Sequence, residues 1–156
     1  MSRLLDVAAS VWRRLPAPVR DVVVRLYPLP RFRVGVLALV KSPSGRILLL
    51  KHRFHPRPWG LPGGWLEPGE TPAAGMRREL LEELGVDVPL SSLGILDAVS
   101  RPGRPHVEIL FCVELPEIVP PPNPEFTDHG YFAPDRLPLD MLPHHRGLVS
   151  RLARRP

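Results

Sequence analysis

Glu70, Arg78, Glu79, Glu82 and Glu83 fall within one short span of this chain. Carboxylate oxygens are hard ligands, and a group of them suits a hard divalent cation such as Mg²⁺ or Mn²⁺. Without a cation they repel: on an isolated helix each like-charged i,i+3 or i,i+4 pair costs about 0.2–0.5 kcal/mol. Arg78 offsets only part of that charge. The chemistry the pattern points to is therefore that of a bound metal ion, which polarises an anion and lowers the pKa of a bound water.

The glutamates need an element that holds them at fixed spacing. Thr71 is suited to be a helix N-cap, Pro72 to the first helical position and Gly85 to a left-handed C-terminal cap, so the spacing predicts one helix between them. At about 100° per residue, Ala73, Met76, Leu80, Leu81 and Leu84 form one apolar arc. Glu79, Glu82 and Glu83 are expected together on the opposite side. Upstream, Arg57 to Gly64 (RPWGLPGG) is too rich in Pro and Gly for regular structure, and is expected to be a turn or short extended stretch that presents backbone carbonyls to the metal.

Gly64 to Val86, GWLEPGETPAAGMRRELLEELGV, resembles the Nudix box, G-x5-E-x7-R-E-U-x-E-E-x-G-U with U a bulky aliphatic residue. Gly64 opens it, Glu70 follows, then Arg78, Glu79, Leu80, Glu82, Glu83, Gly85 and Val86, so every fixed position agrees. The resemblance implies an α/β fold, a Nudix-type α/β/α sandwich with a mixed sheet, covering about residues 31–154. It further implies hydrolysis of a nucleoside diphosphate linked to another moiety, with Mg²⁺ as cofactor and Mn²⁺ as the alternative ion. Glu79, Glu82 and Glu83 would ligate the metal directly or through water, joined by the Gly63 carbonyl. Gly64, Glu70 and Arg78 would be structural, an Arg78–Glu70 salt bridge pinning loop to helix. Two glutamates compete for the role of general base: Glu79 in the box and Glu125 in a later loop, where PEFTDHGYFAPDRLP resembles the region after the box in many Nudix enzymes. Asp128 and Glu108 are further candidates, with Glu108 read first as a strand residue facing solvent or a partner.

Around this centre, Phe32 to Lys41 and Arg46 to Lys51 read as a hairpin closed by Ser42-Pro43-Ser44-Gly45. Leu93 to Ser100 and Val107 to Leu115 read as strands about the turn Arg101-Pro102-Gly103-Arg104. Tyr131-Phe132 is a short strand and His144 to Arg154 a closing helix, with His144-His145 read as a helix-end feature. With 156 residues, 44% of them hydrophobic, the chain supports one domain, residues 31–156. The single Cys112 cannot form an internal disulfide and reads as a small buried hydrophobe, which suits a reducing cytoplasm.

Residues 1–30 form an N-terminal helical extension. Leu4, Ala8, Val11 and Leu15, then Val19, Val22, Val23 and Leu26, fall at helical spacing on either side of Pro16-Ala17-Pro18. Its five arginines allow an interfacial membrane anchor, but Asp6 and Asp21 dilute the basic character. The expected form is a helical hairpin packed on the domain or on a second subunit, which would make a homodimer. Asp6 also interrupts any secretory leader, and the longest apolar run, Val34 to Val40, is far short of the roughly 20 residues a transmembrane helix needs.

The net charge of +5 comes from scattered arginines without aromatic interleaving, so duplex nucleic acid is not an expected partner. A small, polyanionic nucleotide derivative is. His52, Arg53, His55 and Arg57 precede the loop and stand as phosphate contacts or as a solvated basic segment. No substrate tag outside the box separates ADP-ribose and nucleotide sugars from nucleoside triphosphates. A Nudix-fold sensor that binds a nucleotide without turnover is the alternative to an enzyme.

Overall fold

The computed structural model describes residues 2–26, 32–100 and 103–152. The chain divides into two compact units, Met1–Arg31 and Phe32–Pro156. The first contains helices α1 (Ser2–Arg14) and α2 (Ala17–Leu26). Pro16 has no N–H to continue α1, and its carbonyl accepts from Val19 N (3.0 Å) and Arg20 N (3.1 Å) to start α2.

The second unit is built on a seven-stranded mixed sheet: β1 (Arg33–Lys41), β2 (Ile47–His52), β3 (Trp59–Gly60), β4 (Gly63–Trp65), β5 (Gly94–Ser100), β6 (His106–Glu114) and β7 (Phe126–Phe132). β1 runs parallel to β6 from Arg33 opposite His106 to Lys41 opposite Glu114, and the other pairings are antiparallel. The β1–β2 hairpin turns at Ser42–Gly45, where Gly45 takes φ 76° and its N–H reaches Ser42 O at 2.8 Å.

β1 is buried on both faces and separates two cores, as a central strand must. Val36, Ala38 and Val40 pack with Met76, Leu80 and Leu84 of α3 (Pro72–Leu84). Leu37 and Leu39 pack on the other side with Leu148, Val149 and Leu152 of α4 (Pro143–Leu152). The result is the α/β/α sandwich that the Nudix resemblance implied.

Several expectations need correction. The Pro/Gly-rich run does carry regular structure, because its prolines supply carbonyls where they lack donors. Pro58 O accepts from His52 N (2.8 Å) and Pro62 O from Ala38 N (2.9 Å), so β3 and β4 join the sheet. The last strand begins five residues before Tyr131, directly after Glu125. Cys112 is half-buried rather than buried. In α3, Leu81 is 50% exposed, while Glu79 and Glu83 are buried beside Met76 and Leu80. Met76, Leu80 and Leu84 of the expected arc are buried, but the buried face leaves out Leu81 and extends instead over the two carboxylates. Arg101 and Pro102 of the expected turn lie outside the described residues.

Candidate active site

The box helix is capped at both ends as its sequence requires. Thr71 Oγ1 accepts from Ala74 N (3.3 Å), Pro72 is the first helical residue, and Gly85 takes φ 69° with its N–H on Leu81 O at 3.0 Å. α3 thereby holds Glu79 and Glu83 one turn apart, facing β4.

β4 is glycine at both contact positions for steric reasons. Gly63 sits at φ 136°, and a Cβ there would lie 2.9 Å from Leu37 Cα. At Gly64 a Cβ would lie 2.7 Å from the Glu79 carboxyl carbon. The first glycine of the box therefore makes room for a carboxylate. Glu83 accepts the Gly63 N–H through Oε2 at 2.8 Å, which ties the helix to the strand.

Arg78 organises the other side. Its Nε donates to Glu70 Oε1 (2.9 Å) and Nη2 to Glu70 Oε2 (3.1 Å), a bidentate pair, and Nη2 also reaches Trp65 O (3.0 Å). Nη1 donates to Glu79 Oε1 (2.8 Å) and Glu82 Oε2 (3.2 Å). The expected Glu70–Arg78 pin is present, and the same guanidinium also clasps two of the proposed metal ligands. It holds the Glu70 carboxyl below the usual carboxylate range, first through the side-chain hydrogen bond. Glu70 returns an acceptor to its own loop at Glu67 N (3.0 Å).

The buried carboxylates are displaced the opposite way. Desolvation pushes Glu83 up to about 9 against the opposing Gly63 hydrogen bond, with Glu79, Glu125 and Glu82 adding repulsion in that order. Desolvation also raises Glu79, against the opposing pull of Arg78. Glu83 thus feels three other carboxylates, Glu125 among them, although 42 residues separate Glu125 from it. Glu82 differs, its side chain being 57% exposed. Among the described residues no three His, Cys, Asp or Glu side chains converge as a finished metal cage. Arg78 draws Glu79 and Glu82 to itself, while Glu83 is turned to Gly63.

Even so, the donors fit a hard divalent ion. They are oxygen ligands, two of them buried on one helix face, and the raised Glu83 and Glu79 values reflect the cost of ionising them there without a cation to take up the charge. Glu79, Glu83, the more exposed Glu82 and the Gly63 carbonyl are the groups that would hold it.

The Glu125 loop is fastened to this centre from both sides. Arg53 donates through its backbone N to Glu125 O (2.8 Å) and through Nε to Pro124 O (2.8 Å). Asn123 Oδ1 accepts from Glu125 N (2.8 Å) and its Nδ2 reaches Glu82 O (3.4 Å). A cleft of about 380 Å³, lined by His52, Phe54, His55, Leu61, Gly63, Glu125, Leu142 and His145, opens beside it. That is within the roughly 300–1,000 Å³ range of small-molecule sites. Asp128, opposite Lys51 in the β2–β7 pairing, shares with Glu83 a smaller cavity of about 160 Å³. Of the basic residues ahead of the loop, Arg53 thus braces the Glu125 segment, and His55 Nδ1 is engaged with the Arg57 backbone (2.9 Å to its carbonyl).

Sequence reasoning missed the α4 histidines. His145 is buried, and its Nδ1 accepts the Leu61 N–H at 3.0 Å. Leu142, just before α4, donates its N–H to Trp59 O at 2.8 Å, so the start of this helix and its approach support the loop from the face opposite α3. His144 bonds Glu108, which is buried rather than facing solvent, and His106 lies 3.4 Å from the same carboxylate. The available signal was the spacing of His145 with Leu148, Val149 and Leu152, which puts it on the buried stripe of α4.

Residues 31–152 match the NUDIX domain, and the chain belongs to that family. It is 32% identical over 117 residues to a Bacillus subtilis (strain 168) protein named "Putative 8-oxo-dGTP diphosphatase", covering 74% of this chain and 76% of the relative. It is 34% identical over 86 residues to diphosphoinositol polyphosphate phosphohydrolase 2 of Rattus norvegicus, covering 54% of this chain and only 48% of that protein. The crystal structure of a MutT NUDIX hydrolase from Burkholderia pseudomallei superposes with a TM-score of 0.65 at 29% identity, covering 78% of this chain and 98% of that one. The chain is thus a Nudix hydrolase, of the class that acts on acid anhydrides of phosphorus.

Proposed function

We propose that this chain is a Mg²⁺-dependent pyrophosphohydrolase, with Mn²⁺ as the alternative ion, that cleaves the phosphoanhydride of a nucleoside diphosphate derivative of the ADP-ribose, nucleotide-sugar or nucleoside triphosphate type. The observation that carries this reading is Glu83: a buried carboxylate on a backbone N–H, under repulsion from Glu79, Glu125 and Glu82, beside a cleft of substrate size. The Bacillus relative's name points to a nucleoside triphosphate, and the rat relative's to an inositol polyphosphate, so these two relatives differ in the moiety that carries the phosphates.

A divalent ion held by Glu79, Glu82, Glu83 and the Gly63 carbonyl would supply charge neutralisation of the pyrophosphate and activation of a water. The chain's own groups do the rest. Arg78, locked by Glu70, orients Glu79 and Glu82. Arg53 and Asn123 fix the loop that carries Glu125 to the cleft; Glu125 and Glu79, the latter held by Arg78, are the two candidates to take the proton of the attacking water. Phe54 and Leu61 offer apolar surface to the non-phosphate moiety. The lone Cys112 suits reaction in the cytoplasm.

The test is formation of the cleaved products (nucleoside monophosphate, sugar phosphate, pyrophosphate or phosphate), separated by chromatography, from a panel containing 8-oxo-dGTP, ADP-ribose, nucleotide sugars and a diphosphoinositol polyphosphate, with and without Mg²⁺. Turnover should depend on the ion and drop by orders of magnitude in Glu82→Gln and Glu83→Gln. Variants as active as the unmodified chain would remove the site assignment, and nucleotide binding without any turnover would make the protein a sensor.

A further inference from the structure

The two helices of the first unit are sharply two-sided. At about 100° per residue, Val7, Ala8, Ala9, Val11 and Trp12 of α1 occupy one unbroken arc, and Asp6, Ser10, Arg13 and Arg14 fill another. In α2, Val19, Val22, Val23 and Leu26 share an arc from which Arg20, Asp21 and Arg25 are excluded. Within the unit neither helix buries the apolar arc of the other: Val7 is 62% exposed, Val11 55%, Val22 54% and Leu26 79%. No described side chain of either helix is buried. A contiguous apolar face of this kind marks a contact surface.

Charge selects the contact. Residues 2–26 carry Arg3, Arg13, Arg14, Arg20 and Arg25 against Asp6 and Asp21, so five minus two leaves +3. We propose that this unit docks on a membrane surface containing anionic lipid, its helices lying in the interfacial plane with valines and alanines in the acyl boundary and arginines at the headgroup phosphates. A second copy of the chain fits less well, since pairing would bring two +3 units together, whereas anionic headgroups neutralise each of them. The apolar arc of α1 also spans more than half of the helix circumference, wider than the narrow seam that paired helices bury. Trp12, 39% exposed among the apolar residues, has the amphipathic ring that suits a lipid–water boundary. Attachment is peripheral, because no helix of the described residues is long and apolar enough to cross a membrane.

The experiment is co-sedimentation of the full chain with vesicles of phosphatidylcholine alone and of phosphatidylcholine mixed with phosphatidylglycerol. Binding should require phosphatidylglycerol and fall about tenfold or more when salt rises from ~0.1 M to ~1 M, which shortens the Debye length from about 10 Å to about 3 Å. Val11→Asp should abolish it by placing a charge in the apolar arc. Arg13→Gln with Arg14→Gln should weaken it while leaving that arc intact. Both variants should keep the hydrolytic activity and thermal transition of the unmodified chain, which separates failure of this proposal from failure of the enzymatic one. Equal binding to neutral vesicles, binding that survives Val11→Asp, or no binding to either vesicle overturns the proposal. A concentration-dependent dimer dispersed by Val11→Asp, without vesicle binding, would assign the face to self-association instead.

Discussion

α3 and α4 grip the same stretch of chain, Trp59 to Trp65, from opposite faces of the sheet, and they grip it with different chemistry. α3 uses carboxylates: Glu83 on the Gly63 N–H, and Glu79 against the bare Cα of Gly64. α4 uses an imidazole, His145 on the Leu61 N–H, and the residue just before the helix adds a backbone amide, Leu142 N–H on Trp59 O. Each helix buries a polar side chain among aliphatic ones, at the same kind of cost. On α3 that cost leaves carboxyl groups beside a cleft, where a cation can displace the proton and take up the charge. On α4 it fixes the Leu61 backbone from the wall of the same cleft. Under the proposed function, the difference separates carboxylates that would hold the ion from a side chain that positions the loop beside them.

Glu83→Gln should break the comparison most visibly. The amide keeps the volume and an acceptor for Gly63 N–H but loses the charge, so kcat at saturating Mg²⁺ should fall at least about a hundredfold. Thermal stability should hold or rise, since a carboxylate held up to about 9 by desolvation has been replaced by a neutral group. Steady-state kinetics and a melting curve read both. A variant that loses stability and keeps its rate would make Glu83 a structural residue and erase the distinction.

His145→Leu tests the other helix. It leaves the buried Leu61 N–H without its acceptor, which costs about 1–3 kcal/mol, and kcat should fall by roughly 10-fold through misplacement of Gly63. The expected pattern inverts that of Glu83→Gln: stability down clearly, rate down moderately. His145→Asn, which offers an acceptor from a shorter side chain, should recover part of both. Chemical denaturation alongside kcat and KM checks this, and a rate loss equal to that of Glu83→Gln at unchanged stability would place His145 among the reacting groups.

This asymmetry also explains what the sequence disclosed. The α3 half of the site was legible because its caps, its glycines and its charges act over short separations: Thr71 to Ala74, Gly85 to Leu81 and Arg78 to Glu70 are all local pairings. The facing of that helix was read less well. An aliphatic arc drawn by hydropathy took in Leu81 and excluded Glu79 and Glu83, whereas burial follows β4, whose glycines admit carboxylates. The α4 half was illegible because Leu61–His145 and Glu108–His144 join residues 84 and 36 positions apart. A histidine pair at a helix start carries no mark of partners that only the parallel β1–β6 pairing brings near. Glu125 stands between these cases, nominated by its neighbourhood and brought within electrostatic reach of Glu83 by Arg53 and Asn123.

Metal and pH sharpen the contrast on the α3 side. A carboxylate whose folded value is raised favours the folded state while protonated, so the Glu83 contribution is fully present below the unfolded value near 4.5 and is lost as pH rises toward about 9. A divalent ion competes with that proton. The gain in melting temperature on adding Mg²⁺ should therefore be absent at acid pH and grow through the interval up to about 9. It should shrink in Glu83→Gln and persist in His145→Leu. Melting curves with Mg²⁺ and with a chelator across that interval measure it, and a gain independent of pH would detach the ion from Glu83.

The smallest effect is expected one residue from the largest network. Arg77 and Arg78 are neighbours on α3, but Arg77 points outward to Asp87 in an exposed pair with an Nη2–Oδ2 distance of 2.8 Å. Solvent screens that pair and its geometry constrains no carboxylate of the site. Arg77→Ala should leave kcat and KM unchanged, and its melting temperature should differ little from that of the unmodified chain. Arg78→Ala removes the donor to Glu70, Glu79, Glu82 and Trp65 together, and should lower both activity and stability. Because the two substitutions delete the same side-chain type from adjacent positions, helix propensity cancels between them. What remains is the effect of clasping the carboxylates, and equal kinetics for the two variants would show that Arg78 contributes none.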